Sequence, residues 1–496
     1  MKKLIYSICI VLIASSTFAQ DLTDALRYSN YHINGTARSA AMGNAFGALG
    51  GDFSSLSINP AGAAVYRSGE FTFTPSVDNT SVDGLVLGNK ANDSKYNMSI
   101  NNIGYVTSIP TGESSESGLV SLSFGLGFNR LGSFSMNSLA EGINPSHSLL
   151  ESFTNKANEY PNTPGADLSP YYEQLAWKTD LLYDLGNGVY QNDITNGGYH
   201  QSQSKATQQS GYINEYVLSF AANFNHKLYV GATVGIHDVK FKENADLFES
   251  DPNNTIPNFN SFNFNTYLKT TGSGYNVKFG VIYKPTENLR LGLAIHSPTF
   301  YKFHDLYNNT MNSSLTYVSD GVTQNYSENS GDGVYDYEIQ TPLKTILSGA
   351  YVIGKSGLIS VDYEIIDYST AKLKNGSDGY AYVKENTAIQ NAYRTVGNLH
   401  VGGEYRVNNT FSLRAGYENF PSVYNSTYLN ASNANSNTSY STVSGGFGFK
   451  EGNFFLDAAV KHMVNDQYLK LYPDAVDMVK YNTSQNSVIC TLGFKF

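Results

Sequence analysis

The feature that constrains this chain most is a repeated segment of about ten residues in which apolar and polar side chains alternate. It begins near Glu70 and recurs up to the last residue, Phe496. In "LRLGLAIH", for example, Leu289, Leu291, Leu293 and Ile295 fall on one face and their neighbours on the other. A period of two residues indicates β-strands with one apolar face. The pattern predicts fourteen strands, near residues 70–80, 95–107, 118–129, 212–225, 227–241, 273–284, 289–303, 337–352, 357–369, 396–407, 410–420, 439–450, 453–464 and 485–496.

The connections between these strands alternate in length. Even-numbered strands are followed by short turns such as "NH", "GKS", "NN" and "EG", whereas odd-numbered strands are followed by segments of about a dozen to eighty residues. Charged residues make up only 15% of the chain, against roughly a quarter in soluble proteins. These features predict an all-β fold, a 14-stranded antiparallel transmembrane β-barrel whose long loops lie outside the cell.

The first residues predict export. "MKK", an apolar run and "TFAQ" have the three parts of a signal peptide, residues 1–19, with cleavage after Ala19. A membrane anchor is the alternative. The mature chain then keeps one cysteine, Cys490, and can form no internal disulfide. Cys490 shares its row with Val488 and Leu492, so we expect it to face lipid.

Composition and motifs exclude several functions. The net charge is −10 and no basic stripe is present, which argues against nucleic-acid binding. There is no G-x-S-x-G, Walker or H-E-x-x-H motif, and the nine histidines are scattered singly. We therefore expect no enzymatic activity, no metal and no cofactor.

The polar faces of the strands supply candidate lumen residues. Six cationic or imidazole side chains fall on rows that would line the barrel interior: Arg290, His296, His400, Arg406, Arg414 and Lys461. They could form structural ion pairs that hold the interior closed, or they could meet the carboxylate of an amphiphilic substrate, for which the arginine fork is suited.

The largest predicted loop covers residues 130–211. Within it, "YYEQLAWKTDLLYDL" has helical spacing and includes the only tryptophan. Its apolar face could form an external ligand-capturing groove or could pack on neighbouring loops. The groove candidates are Tyr171, Leu175, Trp177, Leu182 and Leu185.

Strand two breaks its alternation. In "YNMSINNIGYV" the apolar row shifts after Ile100, so an extra residue near Asn101 and Asn102 predicts a β-bulge.

The segment before the first strand is rich in glycine and small residues. "SAAMGNAFGALGGDFSSLSINPAG" ends in Asn59, Pro60 and Ala61, a sequence suited to starting a short helical turn, because Asn is a good N-cap and Pro is favoured at the first helical position. The candidate hatch residues are Gly43, Gly47, Gly50, Gly51, Asn59, Pro60 and Ala61.

Residues 37–64 resemble the N-terminal segment of the FadL-type long-chain fatty-acid transporter barrels, in a style similar to the Bacteroidota branch of that family. The resemblance implies a hatch over residues 20–69 that folds into a barrel formed by residues 70–496. It also implies a location in the bacterial outer membrane and passive uptake of hydrophobic or amphiphilic small molecules, fatty-acid-like or aromatic. The implied partners are outer-membrane lipid, a hydrophobic small-molecule ligand, and the insertion machinery that reads a C-terminal strand ending in an aromatic residue, here Phe496.

Two questions stay open at this point. A secretion-associated branch of the same fold, the type IX shuttle barrel, binds protein cargo and has a Trp-Asn-Pro-Ala pattern, whereas this chain has "SINPAG". In characterised transporters a kink in strand three opens a side exit. Here "LVSLSFGLGFN" alternates cleanly, so the position of any lateral exit is not indicated.

Overall fold

The wall of the molecule is a closed antiparallel barrel of fourteen strands. In the computed structural model, residues 22–111, 118–159, 162–319, 321–426, 439–472 and 474–496 are described. The predicted signal peptide lies outside these residues. The strands are β1 (Glu70–Val86), β2 (Asn89–Pro110), β3 (Leu119–Ser133), β4 (Met136–Asn144), β5 (Tyr183–Asp184), β6 (Tyr190–Gln191), β7 (Gln201–Phe224), β8 (Leu228–Ser250), β9 (Asn258–Tyr283), β10 (Leu289–His296), β11 (Phe300–Thr316), β12 (Thr323–Asn329), β13 (Gly333–Gln340), β14 (Lys344–Ile353), β15 (Gly357–Asp367), β16 (Lys372–Lys374), β17 (Thr395–Arg406), β18 (Phe411–Phe420), β19 (Tyr440–Glu451), β20 (Phe454–Lys470) and β21 (Met478–Lys495).

The wall runs in chain order and closes where β21 pairs with β1. Two wall strands consist of two segments each: β10 continues as β11, and β13 continues as β14. The interruptions contain Pro298 and Pro342, which have no N–H to give to the ladder. Thr299 and Thr341 bond each other across the break, Thr299 N to Thr341 Oγ1 at 2.8 Å. Each of the fourteen predicted strands overlaps a wall strand, so the predicted fold is confirmed.

The outer face of the wall is apolar, as the alternation predicts. Large apolar side chains are exposed along the outward rows, among them Leu122, Leu126, Leu218, Phe220, Leu291, Leu293, Leu413, Tyr417, Val488 and Leu492. Cys490 is half-buried in the last of these rows. The predicted bulge is also confirmed: Thr74 pairs with Asn102 and Pro75 with Ile100, so Asn101 has no partner in β1.

The helices are short and lie inside the barrel or above it. They are α1 (Leu22–Arg27), α2 (Ala37–Ala41), α3 (Ser55–Ile58), α4 (Leu149–Ala157), α5 (Glu173–Lys178), α6 (Asp193–Gly197) and α7 (Val383–Ala392), with 3₁₀ turns at Pro60–Val65, Gly165–Asp167 and Tyr368–Thr370. Among the described residues no helix has the length and apolar character needed to span a bilayer.

Strands extend into the segment predicted as the largest loop. β3 and β4 carry strand structure to Asn144 and β7 starts at Gln201, so the connection between them covers residues 145–200. It folds into a dome with α4, α5 and α6. The dome core contains Leu150, Phe153, Leu175, Leu182 and Tyr190, which pack with the outer ends of several wall strands.

Candidate functional site

The N-terminal segment, residues 22–69, fills the lumen and is called the hatch below. Its Asn-Pro-Ala turn forms as the sequence predicts: the Asn59 side chain accepts a hydrogen bond from Ala61 N at 3.1 Å, and Pro60 opens the 3₁₀ turn. The same side chain donates to Gly47 O at 2.6 Å and to the wall at Val281 O, 3.2 Å away. Asn59 therefore ends one hatch segment, starts the next and fastens both to the barrel.

Close approach between hatch and wall requires glycine on both sides. A Cβ on wall residue Gly280 would lie 1.9 Å from Asn59 Oδ1. In the hatch, Gly43 has a φ of +57° and a Cβ there would lie 2.9 Å from Tyr417 O. A side chain at either position would push the hatch away from the wall. Of the other predicted hatch glycines, Gly47 is packed against the Ser348 side chain, and Gly50 and Gly51 both have positive φ.

One side of the hatch is held by an ion-pair chain. Arg38 of α2 pairs with Glu404 at 2.9 Å, and Arg414 pairs with Glu404 at 2.7 Å and with Asp457 at 2.6 Å. Burial alone would lower the pKa of Arg38, but the neighbouring Glu404 carboxylate raises it above the usual value. The guanidinium is therefore permanently charged, and its fork contacts both Glu404 oxygens.

A second cluster binds the first glycine turn of the hatch. Asn44 Nδ2 donates to Glu418 Oε1 at 3.0 Å, and His400 Nδ1 lies 3.0 Å from Gly43 O. Lys461 pairs with the same carboxylate, Glu418, at 3.3 Å. Further along the hatch, Gly47 N donates to Asp362 at 2.8 Å.

The opposite wall binds main-chain carbonyls of the hatch. Arg290 Nη1 donates to Leu49 O at 2.8 Å, His296 Nε2 lies 2.8 Å from Ile58 O, and Lys278 Nζ donates to Ser57 O at 3.2 Å. The hatch is thus fastened to both sides of the lumen through buried polar contacts.

These contacts show what the predicted lumen residues do in this conformation. Arg290, His296 and His400 bond hatch carbonyls, whereas Arg414 and Lys461 bond wall carboxylates. Arg406 is exposed at the end of β17, and its role as a lumen residue stays a prediction. Sequence reasoning missed the hatch partners Arg38 and Asn44 and the wall residues Lys278 and Asp362. Asp362 and Lys278 had a signal, since each lies on the polar row of a predicted strand.

A polar cavity of about 70 Å³ lies between the hatch and the wall. Its lining includes Tyr31, His32, Lys278, His296, Lys344, Asp362, Glu364 and His400. The cations are already matched, since Lys344 pairs with Glu364 at 2.8 Å and Lys278 pairs with Glu215. Burial lowers the pKa of His32 to about 3, so its imidazole is neutral. Within the described residues no cluster of His, Cys, Asp or Glu could hold a metal ion.

Around the first helix of the hatch the lumen is apolar and aromatic. Tyr28 stacks near Phe303, with ring centroids 4.3 Å apart, and Tyr301 and Tyr337 extend this group along the wall. We call these side chains, together with Phe241, the aromatic cluster. These rings are buried and pack against one another, so they form an apolar core that excludes water.

The predicted external groove residues do not share one exposed face. α5 is only six residues long, and Asp180, with a φ of +57°, lies just beyond its end. Leu175 and Leu182 are buried in the dome core, Leu185 is exposed, and Trp177 packs against Gly165. Tyr171 contacts Tyr307, with ring centroids 5.1 Å apart. The apolar face of this segment mainly packs on its neighbours.

Among the described residues the hydrogen-bonded ladder of the wall is interrupted along one line, which we call the seam. β2 and β3 pair only between Asn102–Pro110 and Ser121–Asn129. Beyond that point β2 continues for another thirteen residues, 89–101, paired with β1 alone, while β4 pairs only with β7. β4 turns inward, since a Cβ on Gly84 of β1 would lie 2.2 Å from Leu139 O.

The lip of the seam is apolar. Tyr96 and Met98 of β2 are 74% and 79% exposed, more than any other large apolar side chain on the described wall strands. One polar contact crosses the gap, from Lys95 Nζ to Gln209 O of β7 at 2.7 Å. The break in strand three lies at Phe134 and Ser135, just beyond the residues that alternate cleanly in the sequence.

A family model described as "Outer membrane protein transport protein (OMPP1/FadL/TodX)" matches residues 11–496. Among solved structures, the toluene transporter TodX of P. putida shares 14% identity with a TM-score of 0.53, covering 93% of this chain and 98% of that one. A FadL homologue from Pseudomonas aeruginosa shares 14% identity with a TM-score of 0.53, covering 94% and 98%. No curated protein matches the chain significantly. These matches lend no support to the secretion alternative.

Proposed function

Because the chain belongs to the OMPP1/FadL/TodX family of outer membrane transport proteins, we propose that it mediates passive uptake of hydrophobic or amphiphilic small molecules, fatty-acid-like or aromatic. The seam is the observation that carries this proposal. A polar solute gains nothing from an opening toward lipid, whereas an apolar molecule that leaves sideways passes from one apolar environment to another. Transport is downhill and uses neither a cofactor nor ATP.

The fastening of the hatch supports a sideways route. Passage straight through the barrel would break the ion pair of Arg38 and the bonds of Arg290, His296 and Lys278 together. Hydrogen bonds to charged groups contribute about 1.5–3 kcal/mol each, and breaking them in a buried site leaves charges uncompensated. A ligand that leaves through the seam above the hatch disturbs none of these contacts.

The aromatic cluster supports the apolar part of the route. It joins Tyr28 of the hatch to rings of the wall, and these buried rings would have to part for an acyl chain or an aromatic ring to pack between them. The dome core closes the outer end of the lumen, so entry requires the dome helices to move.

Reversible closure of the seam tests the proposal. In a Cys490→Ser background, Lys95→Cys and Gln209→Cys place thiols on opposite sides of the gap, and a disulfide-containing thiol cross-linker can join them. Cells that express the joined barrel should lose uptake of radiolabelled toluene and oleate, and reduction should restore it. Each single-cysteine variant, treated with the same reagent, is the matched control.

The possible results test the lateral route and the uptake function separately. Uptake that persists with the seam joined would exclude the lateral route. If the untreated wild-type barrel gives no more toluene or oleate uptake than an empty vector, the proposed function itself is wrong.

Deletion of residues 39–62 tests the role of the hatch. Without these residues the lumen loses most of its filling, so we expect the barrel to assemble and hydrophobic uptake to change, while large polar antibiotics gain entry. Unchanged uptake of both kinds of probe would contradict a hatch function for this segment.

We also propose that the C-terminal strand is read by the insertion machinery. Phe496 is 55% exposed beside Phe494, and its main chain pairs with Gly69 at 3.0 Å in both directions. Replacing Phe496 with Ser should lower the amount of assembled barrel, measured by heat-modifiable migration, whereas Phe454→Ser on the neighbouring strand serves as the control.

A further inference from the structure

A cationic side chain lies where β2 and β3 part. The outward row of β3 is apolar through Leu122, Phe124 and Leu126. Arg130 is the first residue of β3 beyond its last pair with β2, Asn102 with Asn129. It therefore lies at the closed end of the seam, where its carbonyl accepts a hydrogen bond from Asn34 N of the hatch at 2.8 Å and where the unpaired part of β2, with the exposed side chains of Met98 and Tyr96, begins.

Arg130 is incompletely satisfied. Its Nε is buried and has no hydrogen-bond partner, and its guanidinium carbon lies 5.2 Å from the centre of the Tyr212 ring. Among the described residues no carboxylate lies within ion-pair distance of it. The charge of Asp78 acts on Arg130 from farther away, but that carboxylate is hydrogen-bonded by Ser487 and Asn97.

The residue opposite Arg130 also has a buried polar atom without a hydrogen-bond partner. Asn214 of β7 is its direct partner in register, is only 7% exposed, and has a buried Oδ1 without a partner. The amide can turn to present its NH₂ group instead. Buried polar atoms in folded proteins are nearly always paired, so two unpaired ones side by side indicate a missing ligand.

The chemistry of that ligand follows from the donors. Arginine offers a planar fork that matches carboxylate or phosphate oxygens. Cations facing a membrane are costly and mark functional sites. Lys95, on the outer part of the same seam, uses one donor on Gln209 O and has two more available.

We propose that Arg130, with Asn214, binds the anionic head group, carboxylate or phosphate, of an amphiphile whose chain lies along the apolar lip of the seam. This inference rests on the proposed function and identifies a specificity residue at its exit. The anion belongs either to a transported acid or to a lipid of the surrounding membrane.

Binding of two ligands with equal chains tests the site. Decanoate and decanol differ in the charge of the head group, and their affinities can be measured on the full-length barrel purified in a neutral detergent. Wild type should bind decanoate more tightly than decanol. Arg130→Gln should weaken decanoate binding about tenfold, the effect expected for one charged hydrogen bond, and leave decanol binding unchanged.

Three variants complete the design. Arg130→Lys keeps the charge and should retain most of the preference for decanoate, and Asn214→Ala should weaken decanoate binding to a smaller extent. Lys302→Gln is the matched control, because Lys302 is an exposed cation on the outer face of β11, away from the seam, and it should have no effect.

A second arm identifies the source of the anion. Phosphatidylglycerol that co-purifies with the barrel is measured by native mass spectrometry in wild type and in Arg130→Gln. Loss of bound phosphatidylglycerol with unchanged decanoate binding would assign the site to a membrane lipid. If neither ligand depends on Arg130, the proposal is overturned, whereas a failure of toluene uptake by wild type would instead overturn the proposed function.

Discussion

Arg38 of the hatch and Glu404 of the wall form a partly buried ion pair with Nε 2.9 Å from Oε2, although 366 positions of the chain separate them. This pair joins the hatch to the chain of charges that continues through Arg414 to Asp457. It fixes the orientation of α2 in the lumen.

Removal of Arg38 and removal of Glu404 should loosen the hatch to different extents. Arg38→Met leaves Glu404 still paired with Arg414, so we expect a loss of about 1–3 kcal/mol. Glu404→Gln leaves Arg38 without its carboxylate in a buried site, and we expect about 3–5 kcal/mol. Hydrogen exchange of amides 37–62 measures the loosening, and Lys302→Gln is the control. Equal protection in all variants would contradict an anchoring role.

Asn59 should stabilise the hatch in two separable ways, as the cap of the turn and as a hydrogen-bond donor. Asn59→Ala removes both the cap on Ala61 N and the bonds to Gly47 O and Val281 O, and we expect a loss of about 2–3 kcal/mol, the sum of a cap and two further hydrogen bonds. Asn59→Asp keeps the acceptor but loses the donor, so part of the stability should remain. The same exchange measurement ranks the variants. The prediction fails if Asp and Ala are equivalent to wild type.

Lys95 should act as a closing contact across the seam. Lys95→Met removes its bond to Gln209 O, and because the side chain is partly exposed we expect a gain of only about 1 kcal/mol for the open form, which corresponds to roughly a fivefold rise in oleate release to lipid vesicles. Lys95→Arg should behave like wild type. Lys90→Met, on the same strand but paired with Asp83, is the control. A slower release in Lys95→Met would contradict the closing role.

Acid should weaken the hatch through His32. Burial lowers its pKa to about 3, whereas an unfolded hatch would bind the proton near pH 6.5. The contribution of the neutral imidazole is complete above pH 6.5 and is lost as the pH falls toward 3, by at most about 1.4 kcal/mol per pH unit. The protection factors of the hatch amides, which compare each exchange rate with that of an unfolded chain at the same pH, should therefore fall between pH 6.5 and pH 5, and less steeply in His32→Gln. Parallel pH profiles for the two proteins would rule out this titration.

The strands could be predicted from the sequence because the pattern that marks them involves only neighbouring residues. A wall between lipid and a filled lumen requires successive side chains to alternate between apolar and polar. The turns at the two ends of the barrel also differ in length, so both signals are visible in short windows of sequence. The extra Asn101 shifted that pattern and was detected for the same reason. The turn at Asn59 and Pro60 was predictable because capping also depends on adjacent residues.

The partners of the lumen residues could not be predicted in this way. Alternation placed Arg414 and His400 on the inner face, but whether they meet a ligand, a carboxylate or the hatch depends on other strands and on the hatch, whose positions a two-residue period does not give. Arg406 lay on the same row and is exposed, because the end of the strand and the depth of the hatch decide its surroundings. The helix predicted near Trp177 is shorter, since packing in the dome overrides helical spacing.

By itself, therefore, the sequence determined the strand number, the outward and inward faces, the bulge and the turn of the hatch, since each follows from neighbouring residues and a two-residue period. Only the tertiary structure decided that β3 breaks beyond Ser133, that β4 turns inward, and that Arg130 is left at the closed end of a seam. Those features arise from which strands can pair around a filled lumen, and strand pairing is a property of the closed barrel as a whole.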